Sequence, residues 1–420
     1  MQTIFPETTA AFASKKNHTQ RGLCMLVLLI LVLMPGSFSK FYIDAESLKE
    51  GLLVATALAT LVIAFFGLRI LRDLARLLSF RFSMLMLFLI VHGALLMFNQ
   101  GFNGQRFALS LAFFAALFLL WLPIIGVLFR AAPSHLDGAL RLCYWILLAD
   151  GLASTVLYLS GGDKTLFFAA EPSHFAITFL PFLFYKVFRD RSPWHLVVAL
   201  FIAVFIKNLT IFSGVVLLTV FYFRRKKLML LLASGATALL VVMSAEYSIY
   251  VTDRLALSSD SENLSTLVFL SGYERAYETL MTGHLLGVGF QQMGFVGPQG
   301  QFVATISEIT RGNELNLYDG GTLASKIIVE FGALGVLALL AYLLRLRKHL
   351  LARIEELPTT ALFFTGVEIS FACYLFVRGM GYMSATVLLL LAGYGYANYV
   401  ARLRPAGRPA VGLTRAAASQ

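Results

Sequence analysis

Residues 246–321 read EYSIYVTDRLALSSDSENLSTLVFLSGYERAYETLMTGHLLGVGFQQMGFVGPQGQFVATISEITRGNELNLYDGG, and apolar runs flank them on both sides. This is the one long polar segment of the sequence, with nine acidic residues, three arginines, one histidine and no lysine. A glycine-rich turn, Gly287-Val288-Gly289, follows the histidine. Because loops held by a rigid scaffold commonly carry function, we expect this loop to contribute the chemistry of the chain.

Composition sets the class of the protein. Hydrophobic residues make up 58% of the 420 residues, mean hydropathy is +0.78, and only 14% of residues are charged, against about 25% in soluble domains. Three cysteines, Cys24, Cys143 and Cys373, lie in apolar runs without a CxxC partner, so we infer neither a disulfide nor a metal site. The composition predicts an all-α polytopic membrane protein without a cofactor.

The apolar runs predict about 12 transmembrane helices. They cover residues 23–34, 51–71, 83–99, 107–129, 142–160, 174–188, 195–206, 209–223, 227–245, 322–344, 360–377 and 383–400. The first run resembles either a secretory signal or a retained anchor, and the many later spans favour the anchor. The pair 195–206 and 209–223 is short for full spans, so we expect tilted helices or a pair broken at Lys207-Asn208.

These runs divide the chain into a membrane bundle of about nine spans (1–245), the large loop (246–321), about three further spans (322–400) and a cytoplasmic tail (401–420). With the N-terminus inside, 24 of the 34 lysines and arginines fall in cytoplasmic segments, as the positive-inside rule requires. The net charge of +11 is then a signal of topology and not of nucleic-acid binding. In a bacterium, the large loop would face the periplasm.

Several polar residues fall within or at the ends of predicted spans, where charges are costly and mark functional candidates. These candidates are Lys207, Lys326, Glu330, Arg378, Asp150 and Glu368. For Asp150 and Glu368, a hydrogen bond between helices is an equally open interpretation. Lys326 and Glu330 are four residues apart on a helix, so they can pair. Asp319 precedes the same span, where it can serve as a cap or as a functional group.

The run Glu171-Pro172-Ser173-His174 predicts the start of a helix, because proline suits the first helical turn. Glu171 and His174 are three residues apart and can share a face of that helix. They form either a cap with a hydrogen-bonded histidine, or an acid–base pair at the membrane surface.

In the large loop, residues 271–282 predict an amphipathic helix that ends at Gly283. Arg275 lies on this helix, and His284 follows it. Arg254 and Arg311 lie elsewhere in the loop. Arginine forks can bind a diphosphate through several donors, although each arginine could equally form an ion pair with the nearby acids.

Three runs in this chain resemble motifs of the O-antigen polymerase and ligase superfamily. The first covers Tyr273-Glu274-Arg275 and Gly283 to Phe290, and the second covers Asn316 to Gly321 with Ile328 to Gly332. The third, Glu171-Pro172-Ser173-His174, is similar to a motif of Wzy-type polysaccharide polymerases. The predicted topology, about 12 spans with one late loop, is also similar.

The resemblance implies a GT-C-type glycosyltransferase in the bacterial inner membrane that needs no metal. Its donor would be a glycan on undecaprenyl diphosphate, and its acceptor a lipid-linked repeat unit. A chain-length regulator protein would be a further partner, and membrane lipid would surround the spans. Arg254, Arg275 and Arg311 would bind the diphosphate, with Glu171, His174 or His284 as the catalytic base.

Two alternatives remain open. Ligases of the superfamily commonly carry a His-Asn pair where this chain has Tyr318-Asp319, which favours a polymerase over an O-antigen ligase. A flippase for the lipid-linked oligosaccharide is the alternative from another functional class. Few charges in the middle of the spans and one dominant loop argue against a transporter.

Overall fold

The computed structural model describes residues 7–41, 48–66, 72–98, 101–226, 229, 234, 263–312 and 317–403. Within these residues, the regular elements are thirteen α-helices and a short 3-10 turn at Ile354–Glu356. The helices are α1 (Glu7–Phe41), α2 (Leu48–Phe66), α3 (Arg72–Leu96), α4 (Gly104–Arg130), α5 (Pro133–Leu159), α6 (Pro172–Asp190), α7 (Trp194–Phe205), α8 (Leu209–Phe223), α9 (Leu264–Met281), α10 (Gln301–Ile309), α11 (Leu323–Leu351), α12 (Thr359–Phe376) and α13 (Ala385–Leu403).

Six of these helices are long and apolar enough to cross a membrane, and four shorter apolar helices accompany them. The six segments are Gln20–Phe41, Lys49–Phe66, Gly104–Arg130, Pro133–Leu159, Leu323–Leu351 and Thr359–Phe376. The chain is therefore an all-α, multi-pass membrane protein, as its composition predicts. The number of spans stays a prediction, because most of the predicted span 227–245 lies outside the described residues.

Several helices extend beyond the apolar runs that predict them. α5 begins at Pro133, nine residues before the predicted start at 142, because proline opens the helix and polar side chains occupy its first turns. α3 begins at Arg72 instead of residue 83. α1 continues through Ser37 and Ser39, and Ser39 is buried.

The contacts between helix termini define two ends of the bundle. At the first, the Tyr222 hydroxyl donates to the Arg191 carbonyl (2.7 Å), and Arg224 donates to the Ala352 carbonyl (2.9 Å). α6, α8 and α11 therefore end together, close to several lysines and arginines, and we call this the basic end. At the other end, the Gly379 N–H donates to the Gly321 carbonyl (3.1 Å). α9 and α10 lie at this opposite end.

α7 and α8 form a hairpin whose tip lies at the opposite end. The helical conformation is interrupted at Lys207, which has a left-handed backbone (φ 56°). The Asn208 side chain then caps α8 by accepting a hydrogen bond from the Ile211 N–H (2.9 Å). The two helices have 12 and 15 residues, or about 18 and 22 Å at 1.5 Å per residue. The predicted break at Lys207-Asn208 is confirmed.

Glu368 joins two helices, as the structural interpretation predicts, whereas Asp150 binds the loop after α5 and not a second helix. The Asp150 carboxylate accepts from the backbone N–H groups of Phe167 (2.7 Å) and Phe168 (3.2 Å), which fixes the loop after α5. Glu368 pairs with Arg345 and with His349 (3.1 Å) near the basic end. Asp150 thus holds a loop in place, and Glu368 joins α12 to α11.

Candidate functional site

A cavity of about 490 Å³ lies at the opposite end of the bundle. Four parts of the fold meet to form it, namely the start of α6, the tip of the α7–α8 hairpin, the start of α9 and the end of α12. Its polar lining comprises Lys164, Glu171, Ser173, Lys207, Asn208, Thr210, Ser213, Ser265, Thr266 and Arg378. Apolar side chains such as Phe269 and Phe376 complete the wall. The cavity thus combines three cations and one carboxylate with an apolar surface.

Glu171 is the centre of a polar cluster on one wall of this cavity. Its Oε2 lies 3.7 Å from His174 Nε2 and 3.5 Å from Arg378 Nη2, and it accepts from the Ser173 hydroxyl at 3.0 Å. Burial acts to raise the pKa of Glu171, but His174, Arg378 and the Ser173 hydrogen bond outweigh it, so its pKa is lowered. Glu171 is therefore ionised at neutral pH. Its spacing of three residues from His174 brings the two side chains together, as predicted.

Two lysines of the cavity, Lys164 and Lys207, lie near the ring of Tyr158. Lys164 Nζ lies 5.1 Å and Lys207 Nζ lies 5.7 Å from the centroid of Tyr158. Contact of an ammonium group with an aromatic face is a favourable electrostatic interaction. Together with Arg378, these lysines place three cationic side chains at the cavity.

Arg275 lies outside this cavity, in the protein interior. Its side chain is only 1% exposed, and Nη1 donates to the Leu317 carbonyl at 2.7 Å. Burial lowers its pKa to about 10, while the nearby carboxylates of Glu330, Glu274 and Glu278 act in the opposite direction. In this structure Arg275 ties α9 to the segment before α11, and it is not among the residues that line the first cavity.

Lys326, Glu330 and Asp319 form a second buried cluster. Lys326 is fully buried, and its Nζ lies 3.1 Å from Asp319 Oδ1 and 3.5 Å from Glu330 Oε1. It also donates to the Tyr318 carbonyl. The Lys326 charge lowers the pKa of Asp319. The four-residue spacing of Lys326 and Glu330 thus produces the predicted pair, which is shared with Asp319.

Two other candidates of the large loop, His284 and Arg311, are not among the residues that line the cavity. His284 is half-buried after α9 and does not lie with Glu171 and His174. Arg311 is exposed at the end of α10, and Arg254 lies outside the described residues. The predicted helix 271–282 begins earlier, at Leu264, because the Asn263 side chain caps it by accepting from the Ser265 N–H (3.1 Å).

A second groove, of about 440 Å³, lies beside the Lys326 cluster and includes residues that the sequence interpretation missed. Lys49, Arg106 and Gln291 line it. The Arg106 guanidinium lies over the rings of Phe295 (4.9 Å) and Tyr318 (4.5 Å). The sequence does not single out Lys49, Arg106 or Lys164 of the first cavity. Each lies in a short polar loop or in a first helical turn, where charged residues are common.

The described residues contain no group of three or more histidine, cysteine, aspartate or glutamate side chains that could hold a metal ion. Comparisons with protein-family models, curated proteins and solved structures find no match.

Proposed function

We propose that the protein is a membrane glycosyltransferase that polymerises lipid-diphosphate-linked oligosaccharide repeat units, and that the first cavity is its active site. The observation that carries the proposal is the convergence of Lys164, Lys207 and Arg378 on one cavity that also contains an ionised carboxylate. Cations of this kind bind a diphosphate. The apolar wall suits the first part of a polyprenyl chain.

The cations favour glycosyl transfer because negative charge develops on the diphosphate leaving group in the transition state. An acceptor hydroxyl oxygen forms a bond to the anomeric carbon of the donor, the bond from that carbon to the diphosphate oxygen breaks, and the diphosphate leaves with the electron pair. Lys207 and Arg378 stabilise this growing charge more strongly than the ground state. The polymerase therefore uses cavity residues, and not Arg275, for direct contact with the diphosphate.

Glu171 takes the role of the base in this proposal. It is the ionised carboxylate of the cavity, and Ser173 and Arg378 hold it in place. The proton of the attacking hydroxyl passes to Glu171 as the new glycosidic bond forms. His174, 3.7 Å away, orients this carboxylate.

The distribution of charge supports a location in the bacterial inner membrane with the cavity on the periplasmic face. Arg191, Arg224 and Arg345 lie at the basic end, which the positive-inside rule assigns to the cytoplasm. The cavity lies at the opposite end, where a lipid-linked unit would be available after its transfer across the membrane.

A transporter is the second candidate, and one observation favours it. α11 is interrupted at Gly332 (φ 55°, ψ −129°) close to the buried Lys326–Glu330 pair, and broken helices with buried charges are typical of transporters. Here, however, the freed carbonyls of Val329 and Glu330 accept from the chain's own backbone. The break is therefore filled by protein and leaves no room for a substrate, which favours the enzyme.

The variants Lys207→Ala and Arg378→Ala test the site. In a strain that lacks the gene, we expect each variant to restore less than about a tenth of the wild-type polysaccharide ladder, because one cation of an anion site is worth roughly 1–3 kcal/mol. The measurement is a gel of surface polysaccharide at matched expression, with lipid A-core carrying one repeat as the remaining product.

Arg311→Ala is the matched control, since Arg311 is an exposed arginine at the same end of the bundle but outside the cavity. It is expected to restore the full ladder. A full ladder from the Lys207→Ala/Arg378→Ala double variant would refute the assignment of the cavity. A deletion strain whose core carries no repeat at all would instead indicate a ligase or a flippase.

A further inference from the structure

The large loop contains an uncharged stretch that is unusual for a segment exposed to water. No aspartate, glutamate, lysine or arginine occurs between Glu278 and Glu308. Within this stretch, Gly283–Gly289 is non-helical and follows directly after α9. We call Gly283–Gly289 the inserted segment. Its contacts show where it lies relative to the membrane helices.

The inserted segment packs against the middle of α11. The Val288 N–H donates to the Val329 carbonyl (2.9 Å), the Gly289 N–H donates to the Glu330 carbonyl (2.9 Å), and the Leu285 carbonyl accepts from Ala333 (2.8 Å). These contacts surround the interruption at Gly332, about 14 Å along α11 from Leu323 at 1.5 Å per residue. That is about half the thickness of the 30 Å hydrocarbon core of a bilayer.

The interruption and the inserted segment depend on each other. In a continuous helix, the Val329 and Glu330 carbonyls would accept from the N–H groups of residues 333 and 334. The break removes those partners, and the inserted segment replaces them. A Cβ atom on Gly332 would lie 2.2 Å from the Leu285 carbonyl oxygen, so only glycine permits this close contact.

Two further hydrogen bonds hold the backbone of the inserted segment. The Gly287 N–H donates to the His284 carbonyl (2.7 Å), and the Leu286 carbonyl accepts from His92 Nε2 (2.8 Å) on α3. His92 is buried and thus provides a donor to a non-helical carbonyl at this depth. Non-helical backbone is tolerated at membrane depth where it is buried in protein, and Gly287, Val288 and Gly289 are buried.

Two side chains of the inserted segment, Leu285 and Leu286, are apolar and point outward. Leu285 and Leu286 are 60% and 47% exposed. Their backbone carbonyls accept hydrogen bonds from α3 and α11, and these helices expose apolar residues suited to lipid near the contacts. These neighbours are Phe88, Val91, Leu95, Leu334 and Leu337. The exposed leucines thus continue an apolar surface of two membrane helices.

We infer that Gly283–Gly289 is a re-entrant segment of the membrane domain, and that Leu285 and Leu286 contact lipid acyl chains. This inference is independent of the proposed catalytic activity. It changes the division of the chain, because part of the predicted periplasmic loop belongs to the bundle. It also explains how α9 is held at the membrane surface, since its C-terminus leads directly into lipid.

Site-directed fluorescence quenching tests this inference. The three buried native cysteines are first replaced by alanine, and Leu285→Cys and Leu286→Cys are then labelled with an environment-sensitive dye in full-length protein in liposomes. Leu337→Cys is the control for lipid contact, and Arg311→Cys is the control for water contact. Lipids with a nitroxide on the acyl chain and aqueous iodide serve as the two quenchers.

The labels at positions 285 and 286 are expected to resemble the label at 337. Nitroxide lipid should quench them about threefold more than the label at 311, and iodide about threefold less, because water is excluded from the hydrocarbon core. Iodide quenching at positions 285 and 286 equal to that at 311 would overturn the inference. A label at 337 that responds to nitroxide lipid shows that the protein is inserted when the test is made.

Discussion

Replacing Lys326 by methionine is expected to lower the free energy of unfolding by about 3–5 kcal/mol, the cost of removing one partner from a buried ion pair. Lys326 is fully buried and faces Glu330 at 3.5 Å and Asp319 at 3.1 Å. Methionine fills a similar volume but leaves two carboxylates without their cation. Thermal unfolding in detergent measures the effect, with a thiol-reactive dye reporting exposure of the buried cysteines.

Two further variants separate charge from packing. Lys326→Met/Glu330→Gln is expected to recover most of the loss, because the glutamine is neutral and Asp319 is partly exposed. Lys348→Met, on the exposed side of the same helix near the basic end, is expected to unfold at the wild-type temperature. Equal stability of Lys326→Met and wild type would mean that the pair does not contribute to folding.

Replacing Gly332 by alanine is expected to prevent accumulation of folded protein. Alanine is strained at φ 55° and ψ −129°, which costs about 1–3 kcal/mol. Its Cβ would also lie 2.2 Å from the Leu285 carbonyl oxygen and 2.6 Å from the Gly287 N. Both atoms are backbone atoms fixed by hydrogen bonds, so they cannot move without loss of the inserted segment. The measurement is the yield of monodisperse protein after size-exclusion chromatography.

Two other glycines provide matched controls for this effect. Gly161 has a positive φ (88°), but a Cβ there meets no atom within 4 Å, so Gly161→Ala tests backbone strain alone. Gly138 lies within α5 and is also open, so Gly138→Ala is expected to be neutral. If Gly332→Ala gave the yield of Gly138→Ala, the close contact between α11 and the inserted segment would be wrong.

The sequence predicts the features that depend on neighbouring residues. Apolar runs identify the helices, and spacings of three and four bring together Glu171 with His174 and Lys326 with Glu330. The break at Lys207-Asn208 is also local, because it follows from two short apolar runs and a capping asparagine. In each case the physical cause acts within one or two helical turns.

The features that the sequence does not predict depend on distant segments. The cavity brings Lys164, Lys207 and Arg378 together from separate loops and helix ends, and no spacing indicates that. The sequence predicts that Arg275 binds a diphosphate through its fork of donors, but in the structure its side chain donates to the carbonyl of Leu317, 42 residues away. Burial of that side chain becomes evident only from the packing of α9 against α11.

The most direct test of the proposed function is a transfer assay with purified protein in liposomes. The substrate is the lipid-linked single repeat extracted from the deletion strain. Wild-type protein is expected to produce glycans of two or more repeats and to release the lipid diphosphate, whereas Lys207→Ala/Arg378→Ala leaves the single repeat unchanged. Movement of the single repeat across the bilayer, without formation of any longer glycan, would contradict the proposal and establish a transporter instead.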